Sequence, residues 1–246
     1  MHGLLIAALM TWPCVTSAAG QQPPQTAIPP ELQPYVNARS LLDMTQGELI
    51  KAYPELKHVD FALSQDELPR LLENVGKGVE AMFKVFLNTM SVERIRHEIL
   101  GTRIVSQSLA KRYNYLMLAR QGQKSLALEE YRTTMSGDPV EQGNRYLLTS
   151  GYASSSLYLH PMYRAGSGFR HIGREAKGRR LQVLAFAQKP ETAEMITSFH
   201  LVEGTAVLLV QGLVWVDRES YQILRMRTDL LVPRSDIRLE RQTTEI

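Results

Sequence analysis

From Glu93 to its end, the chain reads as a succession of short strand-like segments separated by breaks of a few residues. These breaks carry turn-forming residues, among them Gly122, the Lys177-Gly178 pair and Asp217. Parallel strands need a crossover of about a dozen residues, so such short connections predict an antiparallel meander. The predicted strands cover residues 93–100, 113–120, 126–134, 169–176, 179–188, 206–216, 221–232 and 237–246. Two longer interruptions, at residues 136–168 and 189–204, are predicted as loops that hold a helical turn each.

The segment 206–216 is apolar on both faces. Alternation places Leu208, Val210 and Val214 on one face, while Leu213 and Trp215 lie on the other. An antiparallel strand with one solvated face would show polar residues at every second position. We therefore expect this part of the sheet to be covered on both sides or to line a cavity.

The next segment alternates between apolar and charged residues. Leu224 and Met226 share one face, and Arg225 and Arg227 share the other. A hairpin about residues 217–220 would align this apolar face with that of the preceding strand, which predicts a partly sealed ligand-binding surface. The predicted ligand-binding residues are Leu208, Val210, Val214, Leu224 and Met226.

Helical signals occupy residues 39–90, ahead of the predicted sheet. Thr45 with Glu48 and Ser64 with Glu67 have the spacing of capping boxes. After the second box, apolar residues recur at helical intervals: Leu68, Leu71, Leu72, Val75, Val79, Met82, Phe83 and Phe86. The predicted fold is α+β, with this long amphipathic helix packed on an antiparallel meander or half-barrel (residues 91–246) in one domain.

The first twenty residues have the pattern of a secretory signal. Residues 4–15 contain no charge and Thr11 as the only polar member, and small residues follow up to Gly20. Such a stretch is too short to span a bilayer of about 30 Å, and cleavage is expected after Ala18 or Ala19. Because Met-His-Gly lacks Lys and Arg, either the true start lies upstream or the signal is weak. A periplasmic or secreted location is predicted.

Two further features fit an exported chain. Cys14 is the single cysteine, and Thr11 and Pro13 stand where a lipid-anchoring motif needs leucine and a small residue. Cleavage would remove Cys14 and leave a mature chain without thiols, which suits an oxidising compartment. Residues 21–38 are rich in proline and predict an extended tether.

The sequence offers no convincing catalytic or metal-binding constellation. Ser154, Ser155 and Ser156 precede His160, but no nucleophile-elbow motif surrounds them, so a turn-forming loop is favoured over nucleophilic catalysis. The other histidines of the mature chain, His58, His97, His171 and His200, lack metal-ligand spacing. We predict no catalytic residues, no metal and no cofactor.

Positive charge is concentrated in residues 163–180, which hold six cations and one carboxylate. A solvated hairpin with a charged tip is the favoured interpretation, and a patch for an anionic headgroup or protein partner is the alternative. Export disfavours nucleic acid. The predicted patch consists of Arg170, Arg174, Lys177, Arg179 and Arg180.

Three stretches, at residues 72–80, 113–131 and 186–246, are similar to uncharacterised exported proteins of soil acidobacteria. The hairpin at residues 210–227, VQGLVWVDRESYQILRMR, resembles the recurrent strand-turn-strand of the periplasmic lipoprotein-carrier (LolA-like) superfamily. The resemblance implies export and a half-barrel that holds lipid or acyl chains against helices. The end at Glu245-Ile246 lacks a turn or cap, which suggests a C-terminally truncated reading frame.

Two functions of different classes remain open. The favoured one is a non-enzymatic exported protein that binds an apolar ligand, a lipid or an acylated protein, with at most peripheral membrane contact. The alternative is a cell-envelope interaction module that docks a protein through its sheet and basic hairpin. An enzyme ranks third, because no group of residues has a geometry suited to catalysis.

Overall fold

The structure is a computed structural model that describes residues 29–85, 89–100, 105–121, 126–140, 152–176, 180–193, 197–201 and 204–245. The predicted signal and residues 21–28 of the predicted tether therefore lie outside the described residues. The α-helices are α1 (Gln46–Ala52), α2 (Leu68–Val85) and α3 (Tyr152–Ser156). Short 3-10 helices lie at Pro30–Tyr35, Leu41–Asp43, Pro54–His58, Leu157–Leu159, Arg164–Gly166 and Ser235–Ile237.

Within the described ranges, the strands form three antiparallel sheets. They are β1 (Val59–Phe61), β2 (Thr89–Leu100), β3 (Val105–Gln121), β4 (Leu126–Thr133), β5 (Ser167–Glu175), β6 (Leu181–Gln188), β7 (Thr197–Leu201), β8 (Gly204–Leu208), β9 (Val210–Asp217), β10 (Ile223–Leu230) and β11 (Thr243–Glu245). The largest sheet has the order β1-β5-β6-β9-β10-β11, beside the sheets β2-β3-β4 and β7-β8. The α+β class and the antiparallel pairing are thus as predicted, but the single meander is not.

The predicted strand at residues 206–216 is divided at Leu209 into β8 and β9. The buried hydroxyl of Tyr35 donates to Val207 O at 2.8 Å and accepts from Leu209 N at 3.1 Å. Because these backbone groups bond to a side chain, the ladder is interrupted here. The predicted loop at residues 189–204 also differs, since it contains β7.

Of the two predicted capping boxes, the structure confirms the first and contains other contacts in place of the second. At α1, Thr45 Oγ1 accepts from Glu48 N, and the Glu48 carboxylate accepts from Thr45 N at 2.7 Å, which confirms the first box. Ser64 instead donates to Asp66, while Glu67 forms an ion pair with Arg174. The helix α2 also does not precede the sheet as predicted, because β1 comes before it and pairs with β5.

One face of the large sheet is covered by α2 and by the segment that contains α3. The predicted stripe supplies four buried side chains from α2: Leu71, Val75, Val79 and Phe83. They pack with sheet residues Leu184, Phe186, Val210, Val214, Val216 and Met226. Tyr115 and Met117 of β3 join the same cluster, so the β2-β3-β4 sheet contacts this layer through β3.

The opposite face of the large sheet is covered by the chain that precedes α2. Leu41, Leu49, Tyr53 and Leu56 pack against sheet residues that include Trp215. The apolar pattern on both faces of residues 210–216 is therefore explained by helical layers on both sides.

Candidate ligand-binding surface

The predicted apolar ligand site lies mostly inside the core. Val210, Val214 and Met226 are brought together beneath α2, and each is less than a tenth exposed. Leu208 is buried as well, but it belongs to β8 in another sheet. Leu224 is separated from the others, because a register shift between Ile223 and Arg225 leaves it exposed.

The described members of the predicted cationic patch do not form a common surface either. The alternation along β5 would place Arg170 and Arg174 on one face, but a bulge between His171 and Gly173 reverses the alternation. Arg170 is paired with Ala185 and Arg174 with Gln182, which point to opposite faces of β6. The two guanidinium groups therefore lie on opposite sides of the sheet.

Each described cation of this patch also has a partner on the protein. Arg170 donates from Nη1 to the carbonyls of Leu42 and Met44, at 3.1 and 2.7 Å. Arg174 forms an ion pair with Glu67 at 2.6 Å, and Arg180 forms one with Glu219 at 3.3 Å. Lys177 and Arg179 lie outside the described residues.

The serines near His160 have structural contacts. Ser154 Oγ donates to Glu130 Oε1 at 2.7 Å, and Ser156 Oγ donates to Ala153 O. His160 accepts from Met162 N through Nδ1, and burial lowers the pKa of its imidazole. Through these hydrogen bonds, Ser154 links α3 to Glu130 of β4, and Ser156 bonds to the backbone of its own helix.

The contact between Ser154 and Glu130 belongs to a polar cluster on the inner face of β2-β3-β4. Tyr115 Oη donates to the same Glu130 oxygen at 2.6 Å. Burial, reinforced by the nearby Glu130 carboxylate, raises the pKa of Tyr115.

Arg132 stacks over the Tyr115 ring and forms a two-point ion pair with Glu93, at 2.5 and 3.0 Å. Although burial opposes it, Glu93 holds the pKa of Arg132 above its usual value. The inner face of this sheet is thus anchored to α3 and the core.

The outer face of the same sheet carries an exposed apolar row. Met90, Leu116 and Tyr131 lie directly opposite one another across β2, β3 and β4. Met90 is 71% exposed and Tyr131 is 48% exposed. Val92 lies two residues further along the same face and is 53% exposed. We call these four residues the apolar row.

Cations follow the apolar row on the same face. Arg94 and Arg112 are directly opposite each other, and Arg96 lies two residues further along β2. All three are exposed, and their guanidinium groups have no partner within the described part of the chain. We call these three residues the arginine group.

The acidic residues of this face are Glu98 and Glu129, one toward each end. Glu98 forms an ion pair with Arg241 at 3.3 Å, and Glu129 accepts a hydrogen bond from the Tyr131 hydroxyl. The outer face therefore combines an apolar end with a cationic end.

The sequence did not predict the outer face of β2-β3-β4 as a binding surface, because the predicted strand began at Glu93. The structure begins β2 at Thr89, which adds Met90 and Val92 to the strand. The alternation from Met90 to Arg96 could have shown that apolar and cationic residues share one face.

Other features of the described residues are less suited to a ligand. An open cleft of about 390 Å³ lies beside β1 and β5, where Leu63 and the paired Glu67 and Arg174 line it. In the described ranges, no group of His, Cys, Asp and Glu side chains is arranged to hold a metal ion. Within those same ranges, no helix has both the length and the apolar character needed to cross a bilayer.

Comparison with known proteins found no family model, no curated protein and no solved structure that matches this chain.

Proposed function

We propose that this is a non-enzymatic exported protein that binds an apolar ligand, a lipid or the acyl chain of an acylated protein. The apolar row on the outer face of β2-β3-β4 is the observation that carries the proposal. Its four side chains expose contiguous apolar surface on a sheet whose opposite face is already packed. Contiguous exposed apolar patches are typical of interaction sites.

The location of the ligand in this proposal differs from the one that the sequence suggested. Beneath α2, Phe186 fills the space above Gly212, and Val214 and Met226 are fully packed. An acyl chain would have to displace α2 to reach them, whereas the apolar row needs no rearrangement. The resemblance to the lipoprotein-carrier half-barrel and the predicted export remain parts of the proposal.

Competition between an apolar dye and a fatty acid tests this function. The native protein should enhance the fluorescence of an environment-sensitive dye, and oleate should displace the dye. Val92→Asp places a charge in the apolar row and should weaken dye binding at least tenfold. Its matched control is Leu63→Asp, which changes a fully exposed leucine elsewhere and should leave dye binding unchanged.

Two results would oppose the proposal. If native protein binds neither dye nor oleate, the alternative of a protein-docking module takes precedence. If Val92→Asp and Leu63→Asp behave alike, the ligand does not bind at the apolar row.

A further inference from the structure

We infer that the outer face of β2-β3-β4 docks on the surface of an anionic phospholipid bilayer, with the arginine group at the level of the lipid phosphates. The inference rests on the proposed function, because the apolar row supplies the second half of the contact. It goes further by identifying the lipid as anionic and as part of a bilayer.

The arginine group is unusual because like charges face each other. Directly opposed like charges destabilise an antiparallel pair, yet Arg94 faces Arg112 with Arg96 beside them. None of the three guanidinium groups has a described carboxylate partner. An external anion would remove this repulsion, and arginine binds phosphate oxygens with paired hydrogen bonds.

The spacing between the apolar row and the arginine group matches the layers of a membrane surface. Strands rise about 3.4 Å per residue, so Val92 lies about 7 Å and Met90 about 14 Å from Arg94 along the strand. Peripheral segments bury apolar side chains about 5–10 Å into the boundary between headgroups and acyl chains. With the strands tilted by about 45° to the bilayer surface, Met90 lies about 10 Å deeper than Arg94, so the apolar row enters this boundary while the arginines stay among the phosphates.

The dimensions favour a bilayer over one bound lipid. Three strands span about 10 Å across the face, and the two groups together extend about 20 Å along it. Three arginines distributed over β2 and β3 reach several headgroups at once. Nucleic acid would satisfy the arginines but would leave Met90, Val92 and Leu116 in water.

Vesicle flotation tests the inference with the full chain. The native protein should float with vesicles of equimolar phosphatidylcholine and phosphatidylglycerol, and much less with phosphatidylcholine alone. Each basic residue near an anionic surface contributes about fivefold to binding, so the variant Arg94→Gln/Arg96→Gln/Arg112→Gln should lose about a hundredfold. Raising the ionic strength should weaken native binding, because salt screens exposed charges.

The matched control removes the same charge elsewhere. Arg174→Gln/Arg180→Gln/Arg218→Gln changes three exposed arginines outside the outer face and should float almost as well as native protein. The arginine-group variant should also melt no lower than native protein, since it removes a repulsive pair. Its loss of flotation therefore cannot be ascribed to unfolding.

The outcomes separate this inference from the proposed function. Equal flotation of native protein with both vesicle types, or an equal loss in the control variant, would overturn anionic docking. Neither result would affect the displacement of dye by oleate, because that experiment measures ligand binding at the apolar row. Conversely, if dye binding is absent while anionic selectivity persists, the apolar-ligand function fails and the arginine group acts alone.

Discussion

At the scale of single residues, Gly173 decides where several side chains lie. Gly173 has a φ of 151° and ends the bulge in β5 that begins at His171, and this bulge places Arg170 and Arg174 on opposite faces. A Cβ at this position would lie 2.0 Å from Asp60 O of β1. The sequence around Gly173 could not predict this close approach, because Asp60 is more than a hundred residues away along the chain.

We predict that Gly173→Ala destabilises the protein by about 2 kcal/mol or more, because the substitution forces β1 away from β5. The matched control is Gly47→Ala in α1, where a Cβ meets nothing within 4 Å. That change should stabilise the helix by about 0.5–1 kcal/mol. Urea unfolding of both variants measures the difference, and similar stabilities would contradict the described bulge.

The Glu48 carboxylate makes the stability of α1 dependent on pH. A hydrogen bond from Arg39, together with those from Thr45, lowers the pKa of Glu48 to about 2. Because the folded-state pKa is depressed, this contribution is present above about pH 4.5 and is lost as the pH falls toward 2.

We therefore predict that Glu48→Gln reduces the dependence of unfolding midpoints on pH across this window. Glu191→Gln, which changes an exposed carboxylate outside any described hydrogen bond, serves as the control and should behave like native protein. Urea midpoints measured at several pH values provide the comparison. A variant Glu48→Gln with the full native dependence would show that the capping box contributes nothing in solution.

At the scale of elements, α2 holds the core on one face of the large sheet. The helical periodicity of residues 68–83 was sufficient to predict the stripe, because helix faces depend on local spacing. Sequence alone could not show that β1 lies ahead of α2 and joins the sheet, since three residues carry too little periodicity. Nor could it show that β6 pairs with β9, because two further strands intervene along the chain.

We predict that Phe83→Ala costs about 3–5 kcal/mol, because this side chain is only 4% exposed in the cluster beneath α2. Lys84→Ala, on the exposed side of the same helix, should cost less than about 0.5 kcal/mol. Urea unfolding of both variants measures the difference in their free energies of unfolding. A cost below about 1 kcal/mol for Phe83→Ala would mean that α2 does not pack closely on the sheet.

At the scale of the whole molecule, both faces of the large sheet are occupied by helical layers, and no described helix or strand covers the outer face of the β2-β3-β4 sheet. Local patterns predicted the class, the antiparallel pairing and most strand positions. They could not identify the open face, which depends on which layer covers which sheet. For the same reason the predicted ligand residues Val210, Val214 and Met226 lie in the core rather than at a surface.

The central claim is that the apolar row contacts lipid, and a fluorophore at Val92 tests it most directly. In a chain with Cys14→Ser, Val92→Cys carries an environment-sensitive label, and Leu63→Cys carries the same label as the control. Vesicles of equimolar phosphatidylcholine and phosphatidylglycerol should shift the emission of the label at residue 92 to the blue and leave that at residue 63 unchanged. No shift at residue 92, or an equal shift at both positions, would contradict the account.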